Sequence, residues 1–279
     1  MKKVFGVIGD PIEHSFSPAL HTIAFQEQGL DFDYVRVQVR PYELPQALQK
    51  LSSELSGFNV TIPHKQSIIQ YLDDLDSSAE RYGAVNTVKN EGGTLIGYNT
   101  DGFGFMEGLR EITAPHTIKT TLLLGAGGAA NVVALELAPY SSLTIANRSL
   151  ERAERLAERV KEHDPKSVVQ IVNLESIPQE NYDLVVNATP IGMGMYQNQV
   201  PVERSILWNG GIVYDLIYNP QETQLLKAAS KAGCQTLNGL PMLIYQGLKS
   251  EEIWLEQTFS DQLKQTIIRR VRKELTRLG

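Results

Sequence analysis

Thr120-Thr121-Leu122-Leu123-Leu124 runs without a break into Gly125-Ala126-Gly127-Gly128-Ala129-Ala130, and residues 129–137 then follow with helical spacing. This is G-x-G-x-x-A between a buried strand and a helix, the context in which that pattern marks a dinucleotide site. The glycines let the backbone approach a pyrophosphate, and the helix N-terminus favours its negative charge. A loop of this kind belongs to a parallel sheet covered by helices on both faces. The spacing therefore predicts a Rossmann-type doubly wound domain. Gly125, Ala126, Gly127, Gly128 and Ala129 are its first candidate cofactor-binding residues.

The next strand, residues 143–146, sharpens the cofactor. An acidic side chain usually ends this strand and takes the ribose 2′-hydroxyl. Here the residues are Asn147-Arg148-Ser149, with Arg152 one turn into the following helix. A guanidinium suits a 2′-phosphate through paired hydrogen bonds, which points to NADP rather than NAD. The alternative is that Arg148 is only a solvated residue at a helix start. Residues 168–172, 183–186 and 212–217 supply further strands. The loop 187–193, which contains Thr189, either walls the cofactor site or is a plain connection. Thr189 and Ile217 complete the candidates of this half. Residues 223–232 read as a helix stopped by Gly233.

The N-terminal hundred residues form a second α/β pattern. Residues 4–8 are a buried strand ending at Gly9-Asp10-Pro11. In His14-Ser15-Phe16-Ser17-Pro18, Ser17 suits an N-cap and Pro18 a first helical position. Ser15 and Ser17 then bind a polar ligand at the carboxyl end of the sheet, or they serve as cap and loop. A strand at 32–39, a helix at 43–55 and a short strand at 58–60 follow. Pro63 reads as the start of a helix that continues to Leu72. That puts Lys65 in a first turn, where a cation is electrostatically uphill. Such a lysine is either reserved for chemistry or simply solvated. Residues 84–88 and 94–98 look like a strand pair joined at Gly92-Gly93. Asn99-Thr100-Asp101-Gly102-Phe103-Gly104 reads as a polar loop before a helix at 105–112. Asn86, Asn99 and Asp101 thus fall at strand ends or in loops, where capping would also explain them.

The Pro115 region separates the two patterns. Near the end, Asn238-Gly239-Leu240-Pro241 opens a helix reaching about Glu256. Asp261 caps a last, basic and amphipathic helix to Leu278. The 279 residues suffice for two cores, and the formal net charge of -6 gives no reason to expect nucleic acid or a membrane surface. Cys234 is the sole cysteine, so no internal disulfide is expected. The apolar run after Lys2-Lys3 is too short for a signal peptide, and no stretch is long enough for a membrane span. A cytoplasmic protein is the expectation. No spacing of His, Asp and Glu suggests a metal, and no nucleophile elbow is present. His64, beside Lys65, reads as structural.

Several segments together resemble the shikimate dehydrogenase family nearly end to end. They are His14-Ser15-Phe16-Ser17-Pro18, Asn59-Val60-Thr61-Ile62-Pro63-His64-Lys65 and Gly83-Ala84-Val85-Asn86-Thr87. They continue with Asn99-Thr100-Asp101-Gly102, the glycine loop, Asn147-Arg148-Ser149 and residues 239–246. Thr22 stands after His21 where the family often has asparagine.

The resemblance implies reversible, NADPH-dependent reduction of 3-dehydroshikimate to shikimate, a step towards chorismate and the aromatic amino acids. It implies that Ser15 and Ser17 hold the substrate carboxylate. Thr61, Asn86, Asp101 and Gln246 would meet its ring hydroxyls, with Lys65 and Asp101 as the catalytic pair. Tyr218 and Gly239 would lie near substrate and nicotinamide. It implies a substrate domain over 1–103 completed by 240–279, an NADP domain over 104–239, and a monomer or homodimer. The rivals are a quinate or dual quinate/shikimate dehydrogenase, a methylene-tetrahydrofolate type dehydrogenase, and a non-catalytic NADP-binding regulator.

Overall fold

A computed structural model describes residues 2–278 of the chain. The chain divides into two compact units, Met1–Asp101 with Ile244–Gly279, and Gly102–Leu243.

The first unit is built on β1 (Val4–Gly9), whose side chains alternate between two cores. Phe5 and Val7 pack with Phe25, Tyr34 and Trp254, whereas Ile8 packs on the other face with Leu48, Phe58 and Val88. That period of two is what a strand buried on both faces requires. After β1 come α1 (Ser17–Glu27), β2 (Asp33–Gln38), α2 (Leu44–Glu54), β3 (Gly57–Val60) and α3 (His64–Ser67). They are followed by β4 (Asp74–Leu75), α4 (Ser77–Tyr82), the hairpin β5 (Thr87–Glu91) and β6 (Thr94–Tyr98), and α5 (Asp101–Arg110). The sheet order is β2-β1-β3-β5-β6-β4. Its first three strands run parallel, and β5 is antiparallel to β3.

The second unit has strand order β12-β11-β10-β7-β8-β9, all parallel. The strands are β7 (Thr120–Leu124), β8 (Ser142–Asn147), β9 (Val169–Asn173), β10 (Leu184–Asn187), β11 (Ile212–Asp215) and β12 (Gln235–Leu237), with α6 (Gly128–Leu137), α7 (Leu150–His163) and α8 (Gln224–Ala232) between them. Leu122, Leu123 and Leu124 are fully buried, as a central parallel strand demands. The register pairs Leu124 with Ala146 and with Asn187, and Asn187 with Asp215. Four strands therefore end at one edge, where ligands of doubly wound sheets bind.

The chain closes with α9 (Leu240–Leu255) and α10 (Asp261–Leu278). The tail of α9 returns to the first unit. Trp254 stacks on Phe5 at 4.8 Å between ring centres and donates its indole N–H to the Val88 carbonyl. Burying an aromatic ring of this size contributes roughly 1.5–3 kcal/mol.

Six readings of the sequence need correction. Ser17 is not an N-cap but the first residue of α1, whose cap position is Phe16. Asp261 does not cap α10 but begins it, and the Ser260 hydroxyl accepts the Leu263 N–H there. Pro63 is not the first helical residue. It precedes α3, which is only four residues long and gives way to a 3₁₀ turn at Ile69–Tyr71. So few peptides sum to little dipole, and the argument that Lys65 is uphill there lapses. Asp101 is not in a loop but is the first residue of α5, because the Asn99 side chain accepts its N–H at 3.0 Å and turns the chain into the helix. The strand expected from residue 84 begins only at Thr87, which leaves Asn86 in the turn before β5. Ile217 lies beyond the end of β11, which stops at Asp215.

Candidate active site

In the first unit the end of β3, α3, the turn before β5, the start of α5 and the second turn of α9 bring five polar side chains together. Lys65 Nζ donates to Asp101 Oδ2 at 2.7 Å. Asn86 Nδ2 donates to the other carboxylate oxygen, Oδ1, at 2.8 Å. The same amide lies 2.9 Å from Thr100 Oγ1 and 3.2 Å from Gln246 Oε1. In return, Asn86 Oδ1 accepts the Thr100 N–H at 2.9 Å. Asn86 is buried, while the Lys65 side chain keeps 31% of its exposure and Asp101 14%. A rigid, satisfied amide thus orients a carboxylate that in turn holds an accessible ammonium. The backbone supports this: Lys65 carbonyl accepts the Val85 N–H at 2.7 Å, tying α3 to the segment that carries Asn86.

Ser15 sits on the loop after β1, and Ser17 is the first residue of α1. Ser17 N–H donates to Ser15 Oγ at 3.3 Å, and Arg36 donates to the Ser15 carbonyl at 2.8 Å. The Tyr34 hydroxyl donates to Asn59 Oδ1 at 2.7 Å. Burial pushes the Tyr34 phenol far above its ordinary range, so it acts here as a neutral hydroxyl. Thr61 follows β3; its N–H donates to the Ile8 carbonyl and its own carbonyl accepts from His64. His64 is fully buried and its Nε2 lies 2.6 Å from the Val39 carbonyl, a structural role.

Sequence reasoning passed over Thr100, Ser250, Tyr34 and Asn59 as site-forming residues. Asn59 Nδ2 lies within 3.2 Å of the Asn86 carbonyl, Thr87 Oγ1 and Ser250 Oγ. Ser250 gives no local signal, since a serine in mid-helix is usually solvated. Asn59 had one, as a polar residue inside a strand that is otherwise buried.

In the second unit Gly125 has φ +108, a left-handed conformation natural to glycine, and its N–H donates to the Ala146 carbonyl at 2.8 Å. A Cβ added at Gly127 or Gly128 would meet nothing within 4 Å, so the loop leaves open space before the N-terminus of α6. Ala130, one turn in, is fully buried against the sheet. Asn147 ends β8 and donates to the Ser149 carbonyl at 2.8 Å, which turns the chain into α7. Arg148 lies in that turn and Arg152 at the start of α7, both exposed. Thr189 hydroxyl donates to Asn187 Oδ1 at 2.7 Å. Ile217 carbonyl accepts the Gly239 N–H at 3.0 Å. Tyr218 belongs to this unit, half-buried, and burial raises its phenol.

Comparison with known proteins decides the family. Residues 7–88 match the model of the shikimate dehydrogenase substrate binding domain, and residues 109–198 match that of shikimate / quinate 5-dehydrogenase. The shikimate dehydrogenase (NADP(+)) of Methanocaldococcus jannaschii is 45% identical over 90% of this chain and 91% of its own. The chain belongs to the shikimate dehydrogenase family. A crystal structure of a shikimate dehydrogenase in complex with NADP+ is 43% identical, with a TM-score of 0.88 over 96% of this chain and 94% of that one. The ligand-free 5-ketofructose reductase of Gluconobacter sp. strain CHM43 is 35% identical, with a TM-score of 0.86 over 97% and 99%. Within the family match, Ser15, Ser17, Thr61, Lys65 and Asn86 fall inside the first matched segment, and the glycine loop, Arg148, Arg152 and Thr189 inside the second. Asp101 and Gln246 lie outside both and are drawn in by the Asn86 amide.

Proposed function

We propose that this member of the family catalyses the reversible, NADPH-dependent reduction of 3-dehydroshikimate to shikimate. The observation that carries the reading is the Lys65–Asp101 contact backed by Asn86. Reducing a ketone places negative charge on its oxygen, and a protonated amine beside that oxygen stabilises the charge and donates the proton. Lys65 fills that role, and Asp101 orients it. In the oxidative direction the same pair takes the hydroxyl proton back. Ser15 and Ser17 hold the carboxylate, and Thr61, Asn86, Asp101 and Gln246 the ring hydroxyls. Tyr218 completes the substrate contacts.

The second unit fits NADP. The open space at Gly127 and Gly128 before the α6 N-terminus suits a pyrophosphate. Arg148 and Arg152 suit the 2′-phosphate, with Asn147 and Ser149 shaping their turn. Gly125, Ala126, Ala129, Thr189, Ile217 and Gly239 line the remainder. Bound NADPH supplies the hydride that the side chains cannot.

We assign the activity to the cytoplasm, to a monomer or homodimer, and to the synthesis of aromatic amino acids through chorismate. Cys234 as a free thiol is in keeping with that compartment. Among the described residues no helix is long and apolar enough to cross a membrane.

The likeness to 5-ketofructose reductase favours one second reading, a reductase of a different polyhydroxylated ketone. Initial rates with shikimate and quinate against NADP⁺ and NAD⁺, and with 5-ketofructose against NADPH, separate the readings. Shikimate with NADP⁺ should give the highest kcat/KM. Preference for 5-ketofructose or quinate would replace the assignment, and no turnover with any of them would leave a non-catalytic NADP-binding protein.

A further inference from the structure

Asp215 ends β11 and is fully buried. A carboxyl group in such a place is costly unless its oxygens are bonded. Oδ1 accepts from Asn187 Nδ2 at 3.0 Å and from the Ile217 N–H at 3.1 Å, and Oδ2 accepts from Thr223 Oγ1 at 2.7 Å. Burial raises this carboxyl, and the three bonds pull it back.

Each partner leads to a loop at the carboxyl edge of the sheet. Asn187 Oδ1 accepts both the N–H of Thr189, at 3.0 Å, and its hydroxyl, at 2.7 Å. Asn187 Nδ2 also reaches the Ile191 carbonyl at 3.0 Å. The Ile217 carbonyl accepts from Gly239 at 3.0 Å. Thr223 caps α8 by accepting the Leu226 N–H. One carboxylate therefore ties together the three segments that carry Thr189, Ile217 and Gly239. Removing the carboxylate alone would leave the donors on Asn187, Ile217 and Thr223 buried and unpaired. The bonds reach the end of β10, the turn after β11 and the cap of α8, and so fix where the loops that leave these elements begin.

We propose that Asp215, acting through Asn187, is a positioning residue for NADP. It sets the arrangement of the Thr189, Ile217 and Gly239 segments before the cofactor arrives, so that binding does not have to order them. The inference rests on the reading that these three segments contact NADP.

The test measures NADP⁺ and shikimate dissociation constants and thermal unfolding on the full chain. Asp215→Ala should weaken NADP⁺ by about tenfold or more, the scale of lost bonds to a charged group, and weaken shikimate by a smaller factor, since Tyr218 adjoins Ile217. Asp215→Asn keeps an acceptor for Asn187 and Ile217 and should stay within about threefold of wild type. A residue that only supported the fold would lower the unfolding temperature and the active fraction, and leave the NADP⁺ affinity of the folded protein unchanged. That result for Asp215→Ala would overturn the proposal. If Asp215→Ala does not fold, the near-isosteric Thr223→Val decides: NADP⁺ affinity reduced by about threefold supports it, and unchanged affinity overturns it. Thr189→Ala and Ile217→Ala examine the contacts underneath. If both bind NADP⁺ as wild type does, the contact reading fails and the proposal falls with it. If they weaken binding while Asp215→Ala folds and does not, only the positioning role is lost.

Discussion

Lys65 Nζ donates to Asp101 Oδ2 across 2.7 Å, although the two residues are 36 positions apart in the chain. Asn86 occupies the opposite carboxylate oxygen at 2.8 Å, so the carboxylate cannot turn away from the lysine without breaking a second bond. One end of the pair is fixed by a buried amide and the other stays open to a ligand. That asymmetry is what proton transfer to a bound ketone requires.

Lys65→Ala should therefore lower kcat by about a hundredfold or more, the scale of lost general acid–base catalysis. NADP⁺ affinity should stay unchanged, because the glycine loop belongs to the other unit. Steady-state rates and a separate cofactor titration check both halves. A near-normal kcat would transfer the acid role to another group.

Asp101→Asn keeps the shape but removes the charge that orients Lys65. We expect kcat to fall by about tenfold or more and shikimate KM to rise, since the side chain serves both catalysis and binding. A change in KM alone would reduce Asp101 to a substrate ligand.

Arg148→Ala should raise KM for NADP⁺ and leave KM for NAD⁺ nearly unchanged. A bond to a charged group is worth about 1.5–3 kcal/mol, or about ten- to a hundredfold in cofactor preference. The side chain is exposed, so added salt should narrow the wild-type preference. Equal loss of both cofactors would mean that Arg148 does not read the 2′-phosphate.

Gly239→Ala should fail for a steric reason. A Cβ there would lie 1.9 Å from the Leu216 carbonyl oxygen, which is backbone and cannot swing aside. We expect a loss of about 1–3 kcal/mol in stability, read from urea midpoints, together with weaker NADP⁺ binding.

Glu252 makes the pH prediction. Burial pushes its carboxyl up, but bonds from Lys264, the Phe259 N–H and Lys249 outweigh this and hold it below the ordinary 4.5. The unfolded chain then binds the proton more readily, so the contribution is full above about pH 4.5 and disappears as pH falls through the lowered folded value. Glu252→Gln should flatten the loss of stability as pH falls below about 4.5, as followed by urea unfolding at each pH. An unchanged slope would show that other carboxylates govern it.

The glycine loop, the Arg148 turn and most of the order of strands and helices were legible in the sequence because their causes are local, whereas the short β4, α4 and β12 were not read. A strand run, a left-handed glycine and a helix start act on neighbours a few residues apart, and Gly125, Ala130 and Arg148 stand where that reasoning puts them. The short α3 and the early start of α5 escaped, since both turn on specific side-chain or proline geometry rather than on periodicity. The polar networks escaped more completely. Asn59 meets Ser250 from 191 positions away, and Asn187 meets Asp215 from 28. No local preference marks such pairs. A buried amide or carboxylate is tolerable only where a remote donor or acceptor arrives, and chain folding alone determines which one arrives.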